Sequence, residues 1–191
     1  MKKLLFNPFE KYDGRGLLAI GLVATLIGSM LGYSFNANFD GIFDMHFTYA
    51  VTFAKPFTDN VFNIAILFFT LHILGFTINK KTRPADILGM VMLARLPFYL
   101  GTLFNINGFI ARITEALLGI NIDNIQLSTT DLATLAAYGL VSIALLAWYI
   151  TLLYNGFKTA TNLKTTNHKV LFAVTIIVAE ILSKILFSLI Y

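Results

Sequence analysis

Long apolar runs separated by short polar segments dominate the pattern of this 191-residue chain. Five runs are long enough to cross a bilayer, because a spanning helix needs about 20 mostly apolar residues. They are Leu17–Tyr33, Val61–Asn79, Pro84–Phe104, Leu132–Tyr154 and Val170–Ile190. We therefore predict five transmembrane helices, which together form a single transmembrane domain over residues 1–191.

Two segments between the runs have helical periodicity but are too short or too polar to cross. In Phe39–Phe57, the apolar stripe opposes a polar stripe that includes Asp40 and Asp44. In Ile106–Ile120, an isoleucine-rich stripe opposes Arg112 and Glu115. The pattern predicts an all-α membrane protein, a bundle of five transmembrane helices plus two short amphipathic helices on the outer side. A loop packed on the bundle would show the same periodicity.

The basic residues are distributed unevenly between the two sides of the predicted membrane. Of the 14 Lys and Arg, two lie inside runs and 12 in the connecting segments. Ten of the 12 fall on one side if the chain weaves in and out: Lys2, Lys3, Lys11, Arg15, Lys80, Lys81, Arg83, Lys158, Lys164 and Lys169. Lys55 and Arg112 fall on the other side. Because connecting segments rich in Lys and Arg stay in the cytoplasm, we predict a cytoplasmic N-terminus and a C-terminus outside.

The composition agrees with a lipid environment. The mean hydropathy is +0.75, and 57% of the residues are hydrophobic against 13% charged. The net charge of +4 comes from residues that flank spans, so we interpret it as a topology signal beside anionic lipid and expect no nucleic-acid partner. The absence of cysteine excludes disulfides, thiol catalysis and thiolate metal sites.

Besides Asp86 in the first turn of the third span, three charged residues lie deeper within the predicted spans: Arg95, Glu180 and Lys184. Arg95 follows Pro84 by 11 residues and Glu180 follows Lys169 by 11 residues, which places both roughly 16 Å from the inner boundary. Burying an unpaired charge in hydrocarbon costs several kcal/mol, so we expect these residues to form a candidate intramembrane polar site. That site either fixes helix packing or binds a solute, an ion or a lipid headgroup.

Other residues within the spans predict details of helix shape and packing. Pro97, two residues after Arg95, removes the hydrogen bond to the Leu93 carbonyl and favours a kink. In the first span, Ala24, Gly28 and Gly32 form a stripe of small residues that permits close approach of another backbone. That approach serves either packing within the chain or a dimer interface.

Motifs of enzymes are missing from the sequence. The chain has no phosphate loop, no dinucleotide fingerprint and no paired-histidine metal helix, and the segment Gly28–Gly32 lacks the spacing of a nucleophile elbow. His72 has no second histidine or carboxylate at ligand spacing. We therefore expect no catalytic residues, no metal and no cofactor.

The order of these features resembles the YIP1 family of five-span membrane proteins. The resemblance covers nearly the whole chain and rests on the Arg95-Leu96-Pro97 step, the end of the fourth span at Trp148–Gly156, the short polar loop that follows and the apolar last span. It implies a non-enzymatic protein. Eukaryotic members are linked to vesicle trafficking and small GTPases, but this chain lacks their long cytosolic N-terminal region and their Asp-Leu-Tyr-Gly-Pro-type motif. It looks like a compact bacterial version in the cytoplasmic membrane.

Two hypotheses of function follow. The first is a YIP1-type membrane protein with a role in membrane organisation or protein partnering, in contact with the lipid bilayer and with copies of itself or other membrane proteins. The second is a small transporter or channel with a charged midplane site at Arg95, Glu180 and Lys184. A water-accessible cavity reaching Arg95 would favour the second hypothesis, and a dry, paired network would favour the first.

Overall fold

The computed structural model describes residues 5–119 and 128–190, with the side chains of residues 115–119 outside the description. The helices are α1 (Gly14–Ser34), α2 (Lys55–Ile78), α3 (Pro84–Ala94), α4 (Leu96–Gly101), α5 (Phe109–Gly119), α6 (Thr129–Thr161) and α7 (Thr166–Ile190). Short 3₁₀ segments occupy Pro8–Glu10 and Thr102–Gly108, and two short strands are β1 (Ala37–Asn38) and β2 (His46–Phe47).

The helix ends follow local signals in the sequence. Asp13 caps α1, because its carboxylate accepts a hydrogen bond from the Gly16 N–H at 2.9 Å. Ser128 and Asp131 form a reciprocal capping box at the start of α6. Proline lies in the first turn of both α2 and α3, where its missing N–H costs nothing. Asn162 ends α6 in the left-handed conformation, with φ 55°.

Among the described residues, five helices are long and apolar enough to cross a membrane, which confirms the prediction of five spans. They cover Gly14–Ser34, Lys55–Ile78, Pro84–Thr114, Thr129–Thr161 and Thr166–Ile190, the third with its internal breaks. The observed helices extend beyond most of the predicted bounds, since polar residues at the ends of helices reach past the hydrocarbon. The predicted single domain over residues 1–191 stays a prediction.

The core lies where α2, α3 and α6 face one another. Helix α1 packs along α3, α2 packs along α7, and α3 also packs on α6. The buried side chains at the centre include Leu67, Met90, Tyr149, Leu152 and Phe157. Many apolar residues on the outside of the bundle are exposed, as expected for a surface that faces lipid.

The predicted amphipathic helix over Phe39–Phe57 is wrong. Strands β1 and β2 form an antiparallel pair in register Ala37↔Phe47, and the helix begins only at Lys55. Phe39 and Ile42 are fully buried, so this segment is a loop packed into the bundle. The apolar periodicity reflects side chains that point into the bundle from irregular backbone. We call residues 35–54 the outer loop, after the side of the membrane on which the sequence predicts this segment.

The second predicted amphipathic segment, Ile106–Ile120, does contain a helix, α5. Ile110 and Ala111 are buried and pack on Ala37 and Phe47 of the strand pair, while Arg112 is exposed. Within residues 109–114, the part of α5 whose side chains are described, Ile113 is also buried, whereas Ile106 before the helix is 55% exposed; the amphipathic helix over the whole segment stays a prediction. Ile120 lies outside the described residues, and the placement of α5 on the outer side of a membrane stays a prediction.

The third span is interrupted at Arg95. Helix α3 ends at Ala94, Arg95 has φ −73° and ψ −7°, and α4 begins at Leu96. Pro97 explains the interruption, because it lacks the N–H that would continue the helical hydrogen bonds across this step. The break places the Arg95 side chain inside the bundle, beneath the outer loop.

Candidate functional site

Asn60 joins three helices beneath the outer loop. Its Nδ2 donates to Ser29 Oγ of α1 at 3.0 Å and to the Pro56 carbonyl at 2.9 Å. Its Oδ1 accepts from Arg95 Nε at 3.0 Å and from the Tyr99 hydroxyl at 3.3 Å. All of the polar atoms of the amide are thus used, and Asn60 is fully buried. A satisfied network of this kind fixes the relative positions of α1, α2 and α4.

The backbone of the outer loop is held by polar side chains of α2. The Phe39 N–H donates to Asp59 Oδ2 at 3.2 Å, and the Phe39 carbonyl accepts from Asn63 Nδ2 at 2.6 Å. Asp59 and Asn63 are both fully buried. Irregular backbone inside a membrane bundle requires such partners, because each unsatisfied group would cost several kcal/mol.

Helix α7 holds the next part of the same loop. The Ile42 N–H donates to Ser183 Oγ at 3.3 Å, and the Phe43 N–H donates to Glu180 Oε2 at 3.0 Å. Gly41 permits this close approach, because an added Cβ would lie 3.1 Å from both Glu180 Oε1 and the Lys184 Cε atom. Two turns of α7 therefore act as a docking edge for residues 41–43.

Lys184 pairs with the loop rather than with the other charges within the spans. Its ammonium forms an ion pair with the Asp44 carboxylate, and both side chains are nearly half exposed. An ion pair this exposed contributes little stability by itself. It lies at the rim of the bundle and closes the contact between the loop and α7.

The Arg95 guanidinium lies in an aromatic enclosure. The residue is fully buried, and its Cζ lies 5.7 Å from the ring centroids of both Phe39 and Phe98. Cation–π contacts of this kind are worth about 2 kcal/mol when desolvated. Nε bonds to Asn60, while Nη1 and Nη2 have no hydrogen-bond partner within the part of the chain that the structure describes.

Arg95 and Glu180, predicted to meet at equal depth, make their hydrogen bonds to different partners. No ion pair joins them among the described residues. Tyr149 lies close to both: its buried hydroxyl is within electrostatic reach of the Arg95 guanidinium and of the Glu180 carboxylate. The two charges thus share a neighbour in Tyr149, although Arg95 is fully buried and Glu180 only partly so.

A second charged group lies at the surface of the outer loop. His46 Nδ1 is 2.8 Å from Asp40 Oδ2, and Lys55 Nζ lies 3.2 Å from both Asp40 and Asp59. The hydrogen bond that the His46 ring donates to the Asp40 carboxylate raises the pKa of His46 above 6.5, with further help from the charges of Asp40 and Asp44. Burial by itself would raise the pKa of Asp40, but His46 and Lys55 outweigh that effect and lower it below 3.8.

A cavity of about 200 Å³ lies between the outer loop, α4 and α6. Phe43 and Phe98 form part of its wall, and Asp44, Tyr138 and Ser142 supply its polar groups. The rings of Phe43 and Phe98 also contact the Tyr149 ring, at 5.7 and 4.9 Å between centroids. Arg95 is not a lining residue, so these aromatic rings stand between this cavity and the buried arginine.

The stripe of small residues in α1 contacts other parts of the same chain. A Cβ added at Gly28 would lie 2.2 Å from the Tyr99 ring, and one at Gly32 would lie 2.8 Å from the Phe39 ring. Ala24, on the same stripe, is partly buried. The two glycines thus lie against aromatic residues of the polar region and let α1 approach it closely.

The described residues contain no group of three or more His, Asp or Glu side chains that is able to hold a metal ion. His72 stacks on Phe68 with a centroid distance of 5.5 Å. The polar groups beneath the outer loop are amides, carboxylates and hydroxyls that bond mainly to backbone and to one another. Their chemistry is hydrogen bonding and charge stabilisation.

Several key residues of this region were missed from the sequence: Asp59, Asn60, Asn63, Tyr149 and Ser183. For Asp59, Asn60 and Asn63 the sequence does carry a signal: these three polar residues lie on one helical face at the start of an otherwise apolar run. We placed the start of that span at Val61 and so assigned two of them to a connecting segment. Tyr149 and Ser183 carried no pattern that distinguishes them from ordinary residues of a span.

Comparison with known proteins gives one match. A family model for the Yip1 domain matches residues 3–187, nearly the whole chain. Neither the curated proteins nor the solved structures yield a match. Together with the five membrane-spanning helices, the extent of the family match shows that this chain is a multi-pass membrane protein that belongs to the Yip1 family.

Proposed function

We propose that this protein is a non-enzymatic membrane protein that organises the bilayer or binds other membrane proteins. The observation that carries the proposal is the use of the charged and polar groups within the bundle. Asp59, Asn63, Glu180 and Ser183 all bond to backbone of the outer loop. These groups stabilise a fixed shape, which suits a protein that presents a surface to partners.

We further propose that the N-terminus is cytoplasmic and that the C-terminus lies outside. The membrane in this proposal is the cytoplasmic membrane of a bacterial-type cell. The support is the excess of Lys and Arg at one end of the bundle.

Helix α6 offers the surface that this role needs. Its outer half, Thr129–Ala147, contains no buried residue, and Leu140 and Ile143 are 72% and 67% exposed. The inner half carries the contacts with the core, through residues such as Leu152 and Phe157. A partner helix, from a second copy or from another protein, would cover the exposed half by van der Waals packing.

A photo-crosslinking amino acid placed at Leu140 or Ile143 in the membrane tests this role. We expect protein adducts of higher mass from both positions and none from the buried Leu152 position. Co-expression of two copies with different tags distinguishes a homo-oligomer from a complex with another protein. Adducts with lipid alone at Leu140 and Ile143 would contradict the partner role.

A small transporter or channel is the second candidate, and one observation favours it. The unpartnered Nη1 and Nη2 of Arg95 and the Tyr149 hydroxyl lie behind Phe43 and Phe98, next to the cavity of about 200 Å³. A solute that passed these rings would meet the guanidinium.

Cysteine accessibility separates the two candidates, because the chain has no cysteine of its own. Met45→Cys in the cavity wall should react with a small charged methanethiosulfonate reagent. Tyr149→Cys should stay unreactive if the bundle is a rigid platform. Reaction of Tyr149→Cys at a rate close to that of Met45→Cys would show a water path to Arg95 and favour transport.

A further inference from the structure

A second polar cavity lies at the end of the bundle opposite the outer loop. Its volume is about 360 Å³, and it is bounded by the end of α2, the end of α6 and the start of α7. The polar side chains in its wall are Asn79, Asn162, Lys164, Thr165 and His168. Among the residues that the structure describes, no carboxylate lines it.

Local hydrogen bonds fix the wall of this cavity. Asn79 Nδ2 reaches the Thr161 carbonyl at 3.4 Å, which ties the end of α2 to the end of α6. The left-handed Asn162 turns the chain sharply after α6, and Thr165 Oγ1 accepts from the His168 N–H at 3.3 Å. Lys164 is exposed and lies between these two fixed points. The cavity is therefore a consequence of how two helix ends and one helix start meet.

Lys164 supplies a positive charge to the wall of this cavity, whereas the carboxylates of Asp13 and Asp86 line a different pocket. The ion pairs found among the described residues involve Asp40, Asp44 and Asp59, all at the other end of the bundle. Within those residues, Lys164 has no carboxylate partner, and Lys80 and Lys81 follow directly after the Asn79 that lines the cavity. An anion is the ligand that such a site attracts.

Apolar surface adjoins the polar wall. Ile78 lines the cavity itself, and Val170 and Leu171, in the first turns of α7, are 57% and 47% exposed. Polar and apolar surfaces thus meet at this rim, as they do where headgroups meet hydrocarbon. A ligand with an anionic head and an apolar tail matches both surfaces.

We propose that this cavity binds the phosphate group of an anionic phospholipid, with Lys164 and His168 as the groups that contact the phosphate. Asn79, Asn162 and Thr165 supply amide and hydroxyl hydrogen bonds, and the acyl chains lie along α7. Basic pockets between transmembrane helices are known to hold such headgroups. The cavity is separate from the exposed half of α6, so the lipid proposal can be tested independently of the proposed partner role.

The test uses the full chain purified in neutral detergent, with phosphatidylglycerol added in increasing amounts. We expect the thermal unfolding midpoint to rise with this lipid and to change little with phosphatidylcholine. Lys164→Gln should raise the lipid concentration needed for half of the shift about fivefold, since one cation near a headgroup is worth about 1 kcal/mol. His168→Gln should act in the same direction.

Lys158→Gln is the matched control, because Lys158 is an exposed lysine near the end of α6 that does not line the cavity. This variant should leave unchanged the lipid concentration needed for half of the shift in the unfolding midpoint. Lys164→Arg should retain the response, which separates charge from loss of fold. Each variant must melt like the parent without lipid.

The same unfolding experiment is repeated with inorganic phosphate in place of the lipid. A shift of the same size with phosphate alone, lost in Lys164→Gln, would identify a free phosphate and overturn the lipid assignment. Equal losses in Lys158→Gln and Lys164→Gln would show diffuse surface charge, and equal shifts with both lipids would show no headgroup recognition. Either of these two results overturns the proposal.

Discussion

Gly28 allows helix α1 to lie directly against the Tyr99 ring in the polar region. Even a methyl group there would lie 2.2 Å from the Tyr99 ring, and the Tyr99 hydroxyl bonds to Asn60. We expect Gly28→Ala to lower the free energy of unfolding by about 1–3 kcal/mol, as overpacking does. The measurement is unfolding in mixed detergent micelles.

Gly139→Ala is the control for that change. Gly139 also lies within a helix, α6, but an added Cβ would meet nothing within 4 Å. The free energy of unfolding of this variant should rise by about 0.5–1 kcal/mol, because alanine loses less chain entropy than glycine when the helix forms. Loss of stability in Gly139→Ala to the same extent as in Gly28→Ala would mean that the close contact with Tyr99 is not the cause.

Arg95 and Asn60 should behave as a coupled pair. Each of Arg95→Leu and Asn60→Leu leaves a buried polar group unpaired, whereas the double variant removes both. We expect a coupling of about 1–3 kcal/mol in a double-mutant cycle and a loss of about 3 kcal/mol for Arg95→Leu alone. Arg112→Leu, at an exposed arginine of α5, should change stability by less than about 0.5 kcal/mol.

The same cycle with Glu180→Leu tests the pairing that equal depth in the sequence predicts. Since Tyr149 lies near both charges, any coupling between Arg95 and Glu180 should fall when Tyr149 is replaced by Phe. Unchanged coupling in the Tyr149→Phe background would show that the two charges interact without the tyrosine hydroxyl.

At the level of the structural elements, the outer loop carries a histidine that makes its stability depend on pH. The pKa of His46 is raised in the folded protein by its hydrogen bond to Asp40. The stability that it contributes is therefore complete below pH 6.5 and is lost as the pH rises through the raised pKa. Asp44 and Lys55 are the other charges that act on His46, and Lys55 opposes its protonation.

We expect protease cleavage within the outer loop to become faster as the pH rises from 6 to 8, relative to an unstructured peptide substrate. His46→Gln should remove that dependence. His168→Gln, at the opposite end of the bundle, is the matched variant and should keep it. If the rate of cleavage still depends on pH in His46→Gln, a titratable group other than His46 is responsible.

At the scale of the whole molecule, orientation is the main prediction. We expect an impermeant maleimide to label Tyr49→Cys in intact cells, because this exposed residue lies in the outer loop. Asn167→Cys, exposed at the basic end, should react only after the membrane is opened. A reporter active only in the cytoplasm should likewise fail after Tyr191. The reverse pattern of labelling would invert the proposed topology.

The sequence alone suffices to predict the five spans, because each one is a local run of apolar residues that can be recognised without its neighbours. It also located the break near Pro97, since proline acts on its own helix. It indicated that Arg95, Glu180 and Lys184 needed special surroundings, because a charge in hydrocarbon is costly wherever the helix goes.

The surroundings of those charges depend on contacts between distant parts of the chain, which the folded structure reveals. Phe39 and Gly41 lie in irregular backbone because Asp59, Asn63 and Glu180, distant in the sequence, bond to that loop. Periodicity reports which side chains turn inward, and a helix and a loop packed into a bundle can share the same inward pattern. The choice between them depends on hydrogen bonds between distant residues, so it is made when the helices assemble.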